Sequence, residues 1–157
     1  MIKIKIVCVG KIKDKYLNEG ISEYLKRLNG YSNVEIVEVK DEKIVNNISE
    51  EKIKEIECDR LLEKIKEKEY VILLDLKGKE LTSEQFANKL DNLINEGVGN
   101  FCFVIAGSLG VSEKLRNRAN FALSFSKLTF THQMIRLFLL EQIYRCFKII
   151  NNEIYHK

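Results

Sequence analysis

Hydrophobic and polar positions alternate from Ile2 to Val9, lysine against β-branched residues, and the alternation stops at Gly10, the pattern of a strand. From Asp14 to Leu28 the interval changes. Tyr16, Leu17, Ile21, Tyr24, Leu25 and Leu28 recur at helical spacing, and Asn29-Gly30 ends the run. Alternation returns from Val34 to Val39, whereas the polar stretch from Asp41 to Ile48 predicts no element. Ser49 can cap a long helix running to about Lys68, with Glu50 and Glu51 in its first turn and interleaved charges that mark a mostly solvated face. Tyr70 to Asp75 is continuously apolar, as in a strand covered on both faces, and Leu76 to Leu81 is expected to turn out of it. Thr82 or Ser83 caps a helix from Glu84 to Glu96, ended by Gly97, and Phe101 to Ile105 is a second apolar strand. Ser112 opens a short helix towards Asn120, Phe121 to Phe125 predicts a fifth strand, and Gln133 to Asn151 a closing helix.

Strands alternating with helices imply one domain of α/β class. The expected core is a largely parallel sheet of five to six strands with helices on both faces. Ligands of such sheets bind at the carboxyl ends of strands. Three strand ends therefore draw the eye: Leu74-Asp75-Leu76, Ala106-Gly107-Ser108 and Phe125-Ser126-Lys127. The last opens a polar loop, Ser126 to His132, enclosed by apolar segments, and its backbone amides need acceptors from a neighbour or a ligand.

Composition narrows the classes. With 157 residues, 45% hydrophobic and 31% charged, the chain can bury a core and is not of disordered type. No apolar run approaches the ~20 residues of a membrane span, and the N-terminus lacks a signal-peptide pattern, so a cytoplasmic location and no membrane partner are expected. Cys8, Cys58, Cys102 and Cys146 are scattered and only two histidines occur, so no metal site is expected. The net charge of +3 is uneven: from Gly107 to Lys157 eight Lys/Arg face three Glu, a net of +5, while residues 1–106 hold 18 against 20, a net of −2. That bias suggests an anionic partner such as nucleic acid.

The turn Ala106-Gly-Ser-Leu-Gly110 allows close backbone approach, yet it has neither dinucleotide nor phosphate-loop spacing. The closing helix is apolar on nearly every side, from Ile135 to Ile150, which a chain this small accommodates best at a subunit interface. Glu141 and Arg145 stand at i, i+4; for them and for Arg136, structural pairing competes with contact to RNA phosphate. Tyr155-His156 at the terminus is either a frayed end or a pair suited to unpaired RNA bases.

Phe-Val-Ile-Ala-Gly-Ser at 103–108, Leu-Ser-Phe-Ser-Lys-Leu-Thr-Phe-Thr-His-Gln-Met-Ile-Arg at 123–136, Glu141-Gln-Ile-Tyr-Arg145, Tyr155-His156-Lys157 and the start Ile6-Val-Cys-Val-Gly-Lys11 together resemble the RlmH family of small SPOUT methyltransferases (ribosomal RNA large subunit methyltransferase H). The resemblance covers the whole chain. It implies a C-terminal trefoil knot (the α/β knot), an exception to unknotted topology, and a homodimer. It also implies methyl transfer from S-adenosylmethionine to N3 of a pseudouridine in a 23S rRNA stem-loop, on the 70S ribosome or its large subunit. By motif, the cofactor contacts fall on Leu74, Ala106, Gly107, Phe125, Ser126, Lys127, Leu128, Thr129 and Phe130. On that reading His156 is the candidate acceptor of the N3 proton, Tyr155 stacks on or hydrogen-bonds the base, and Arg145 balances a uracil oxygen or a phosphate. Two positions depart from the family. Ala106 stands where it usually has Gly, adding a methyl beside the cofactor, and Thr131 stands where it tends to have Pro, though a threonine there can cap the closing helix. The alternative is an RNA- or ribosome-binding protein of the same fold without methyl transfer.

Overall fold

A computed structural model describes residues 1–157. Strands and helices alternate throughout: β1 (Ile2–Val9), α1 (Lys15–Leu28), β2 (Ser32–Val39), α2 (Glu50–Glu63), β3 (Tyr70–Glu80), α3 (Ser83–Asn95), β4 (Asn100–Ile105), α4 (Glu113–Arg118), β5 (Phe121–Ser124) and α5 (His132–Ile150). The five strands form one sheet in the order β2-β1-β4-β3-β5, and every pairing is parallel. The α/β expectation therefore holds with five strands.

The two-residue period of the strands sorts their side chains between two cores. Ile4, Ile6, Ile72, Phe101 and Phe103 face α1, α3 and α5. Val7, Val9, Val71, Leu73, Cys102 and Val104 face Cys58 and Leu61 of α2 and Leu115 of α4. Helix starts follow the capping residues. Ser49, Ser112 and Thr131 each accept an N–H three residues on, and Thr82 with Gln85 forms a reciprocal capping box.

Three expectations change. α2 stops at Glu63 rather than near Lys68, because the Lys64 amide closes onto the Leu61 and Leu62 carbonyls and the Glu69 carboxylate then takes the Lys66 amide and Lys5. β3 does not turn away after Asp75. It leaves the ladder and returns, so that Leu123 of β5 faces first Leu74 and then Lys79. Gly78 makes the return possible, since a Cβ there would lie 2.7 Å from the Ala122 backbone. Finally, α5 does not need a second subunit for most of its burial. It lies between α1 and α3, with Leu139, Leu140, Ile143, Tyr144, Cys146 and Phe147 buried, and Tyr31 stacks on Phe147 at 5.7 Å. What stays exposed is a patch at its start, Met134 and Phe138, beside Leu128 and Phe130. All four cysteines are free and buried.

Candidate active site

The carboxyl ends of β3, β4 and β5 meet around a cavity of about 690 Å³. Leu74, Ala106, Gly107, Phe125, Ser126, Leu128, Thr129 and Phe130 line it, so eight of the nine cofactor positions marked by motif converge; exposed Lys127 lies outside the lining. Within the 125–130 loop only the Leu128 amide finds an acceptor in the chain, the Ser126 hydroxyl at 3.0 Å. The amides of Phe125, Ser126, Lys127, Thr129 and Phe130 remain available to a bound molecule. Ser124, buried below, donates from its hydroxyl to the Ser126 carbonyl and fixes the loop's entry.

The wall also holds Asp75, Leu76 and Ser108 of the marked strand ends and His132 of the polar loop, none of which had a role from the sequence, and Arg116, which the sequence did not single out. Asp75 receives the Arg116 Nε–H at 2.8 Å and the Lys77 amide at 3.1 Å. Burial alone would raise its carboxyl, but these donors and the guanidinium charge outweigh that and hold it below the usual carboxylate range. The signal was an acidic residue closing an apolar strand. Burial lowers the His132 imidazole, the Arg136 charge lowers it further, and Asp41 opposes both, so it is held neutral. Glu57, assigned by pattern to a solvated helix face, is buried; its Oε2 accepts the Glu42 amide at 3.0 Å and its Oε1 packs on Gly107, where a Cβ would come within 2.7 Å. No spacing rule reveals it, because a lone Glu in a charged helix reads as exposed.

The C-terminal trio is gathered, but not in this cavity. Arg145 donates to Glu141 and, from Nη1, to His156 Nδ1 at 3.0 Å; His156 Nε2 lies 2.6 Å from Glu84 Oε1. Because an arginine can only donate, Nδ1 is the acceptor and Nε2 carries the proton given to Glu84. That hydrogen bond lowers the Glu84 carboxyl. Tyr155 donates to Glu141 at 3.2 Å, and burial, the Tyr24 hydroxyl and the Glu141 charge all raise its phenol. Glu141 lines a smaller cavity of about 290 Å³ that shares Phe125, Ser126 and Phe130 with the main one. The network thus adjoins the loop from its other side.

The expected basic surface of the last third is mostly spent internally. Arg116 binds Asp75 and Glu113, Arg118 donates to the Lys66, Glu67 and Glu69 carbonyls, and Lys148 pairs with Glu153. Arg136 is 2% exposed, pairs with Glu38 at 2.7 Å and donates to the Val9 and Gly10 carbonyls. Its role is structural, and contact with phosphate is ruled out by its burial.

Comparison with known proteins gives the family. The family described as predicted SPOUT methyltransferase matches residues 2–156. Proteins named ribosomal RNA large subunit methyltransferase H are similar end to end: that of Halothermothrix orenii is 53% identical over 99% of this chain and 100% of its own length, and that of Clostridium beijerinckii 54% over the same shares. The structure of a probable methylase family protein from Haemophilus influenzae Rd KW20 superposes with a TM-score of 0.55 at 12% identity, covering 98% of this chain and 70% of that one, which bears on the fold alone. The chain therefore belongs to the SPOUT methyltransferase family, alongside the H-type ribosomal RNA methyltransferases that it matches over their full length.

Proposed function

We propose that the protein methylates N3 of a pseudouridine in a 23S rRNA stem-loop, on the assembled ribosome or its large subunit, with S-adenosylmethionine as donor. The observation that carries this is the 690 Å³ cavity at three strand ends, rimmed by a loop whose amides find no acceptor in the chain. Its apolar walls, Leu74, Ile105 and Phe125, suit an adenine ring, and the free amides and Ser126 suit its edge and the ribose. The names of the full-length relatives support ribosomal RNA as substrate. A cytoplasmic location follows from that substrate.

When bound, the cofactor supplies a methyl group already activated by its sulfonium. The chain's task is to orient the reacting atoms and exclude water. Leu74, Ala106, Gly107 and the 125–130 segment position the donor. His156 accepts the N3 proton at Nδ1, which requires its contact with Arg145 to open first. Arg145 then offers its guanidinium to the developing charge on a uracil oxygen, while Tyr155 aligns the base.

Since the trio lies outside its own chain's main cavity, we infer a homodimer in which one tail completes the other's pocket. The exposed patch Leu128, Phe130, Met134 and Phe138 beside the cavity supports that seam. The trefoil knot belongs to the same reading, supported by family membership. One feature favours a binding protein without transfer: Ala106, whose methyl stands on the cavity wall.

Calorimetric titration with S-adenosylmethionine separates the two, because the binding-only reading requires no heat. Mass spectrometry of 23S rRNA from a deletion strain should then show one methyl missing from a pseudouridine; an unchanged pattern refutes the assignment. Turnover by His156→Ala should fall at least tenfold at saturating ribosomes, and undiminished turnover would remove His156 from the chemistry.

A further inference from the structure

With the arginines of the last third engaged, free positive charge lies elsewhere. An all-parallel sheet sends the loops after its strands to one edge, the edge that holds the cavity. Those loops carry Lys11, Lys13, Lys40, Lys43 and Lys127, and the part of β3 that leaves the ladder carries Lys77, all exposed and none in an ion pair. The acids of the same edge are largely neutralised by arginines: Glu38 by Arg136, Glu42 by Arg60 at 2.6 Å, and Asp75 by Arg116. In the loops after β1 and β2 only Asp14 and Asp41 are left to oppose these lysines.

Four of the six lie in the loops after the paired strands β1 and β2, and one of them, Lys43, lines a second hollow that also takes Val9 at the end of β1. Gly10, at φ 81° and donating to the Val39 carbonyl at 2.8 Å, turns the chain after β1 so that Ile12 is buried while Lys11 and Lys13 face out. Lys40 and Lys43 stand across from them after β2, held by the Arg60 donation to the Lys40 carbonyl. Between the β2 end and the main cavity runs a trough of about 460 Å³. Gly107, Ser108, Leu109 and His132 wall both, so the two spaces meet across one turn.

We propose that the β1–β2 side of this edge is a second RNA-contact surface, on which Lys11, Lys13, Lys40 and Lys43 hold the phosphodiester backbone of the strand leading away from the methylated nucleotide. This rests on the reading of the chain as a ribosomal RNA methyltransferase. Lysines bind phosphate as point charges and position a strand without reading its sequence. Phosphates sit at the rim, because the trough floor carries the Glu57 carboxylate and would repel them; the floor is left to base edges.

The test compares the full chain with two variants of equal charge loss. One is K11Q/K13Q/K40Q/K43Q; the other is K3Q/K64Q/K66Q/K68Q, whose lysines are exposed at the opposite, amino edge of the sheet. Binding to large ribosomal subunits, and to protein-free 23S rRNA, is measured across a salt series. The first variant should bind both probes about tenfold or more weakly, and its slope of log K against log salt should flatten by roughly 0.7–0.9 for each phosphate no longer neutralised. Affinity for S-adenosylmethionine should not move, and arginine at the four positions should restore binding. Equal losses in both variants, or none, overturn the inference. A loss confined to intact subunits also overturns it, since the partner would then be protein. If the unaltered chain bound RNA but transferred no methyl group, the enzyme reading alone would fail and the salt slopes would still decide this surface.

Discussion

A Cβ at Gly107 would come within 2.7 Å of Glu57 Oε1, so a side chain fits there only if that buried carboxylate gives way. Glu57 in turn fastens the segment after β2 to α2 through the Glu42 amide. Gly107→Ala should therefore destabilise the fold by about 1–3 kcal/mol in denaturant titration and weaken cofactor binding. The double variant with Glu57→Ala should recover part of the stability loss. His132 makes a second claim at this scale. Its folded pKa lies below its ordinary 6.5, so the unfolded chain binds the proton more readily. Stability is unaffected above pH 6.5 and declines as pH falls from there through the lower folded value. Thermal midpoints between pH 7 and 5 should drop for the protein and stay flatter for His132→Gln. Gly107 was legible as part of the site and His132 as the end of its loop, but Glu57 and the burial of His132 were not. Burial of a charge and packing against a glycine are facts of three-dimensional neighbourhood, whereas Leu74, Ala106 and the 125–130 loop followed from strand ends and motif.

Among the elements, β3 departs most from its pattern. Its apolar half, Tyr70 to Asp75, was readable as a doubly covered strand, but the polar continuation, Leu76 to Glu80, carries turn residues and pairs only because β5 lies alongside. Tertiary pairing overrode local propensity there. Gly78→Ala would press a methyl into the Ala122 backbone, so a loss of about 1–3 kcal/mol, with faster hydrogen exchange at Leu123 and Ser124, is expected. Helix α5 taught the converse. Most of its apolar residues are buried, as read, but their partners turned out to be mainly α1 and α3. Period gives the buried face of an element and not the identity of what covers it.

At the level of the molecule, the exposed patch at the start of α5 bears on assembly. Phe138 packs edge-on against Phe130 at 5.5 Å and is 37% exposed. On the homodimer proposed above, Phe138→Asp should shift light-scattering mass from two chains towards one while leaving the helical signal intact; an unchanged two-chain mass places the seam elsewhere, and a one-chain mass for the unaltered protein refutes the dimer. Charge was the least legible global property. Summed along the chain it pointed to the last third, but folding pairs that third's arginines with acids and carbonyls drawn from distant segments. The four buried cysteines have a practical consequence. Burial pushes the Cys8 thiol up to about 11 and that of Cys102 up to about 12, leaving them protonated and inert at neutral pH. A cysteine introduced at exposed Lys68 should then be the only thiol that takes a maleimide dye, one per chain. The protein can thus be anchored to a sensor or lit for single-molecule work from its far edge, with no native residue removed but that lysine.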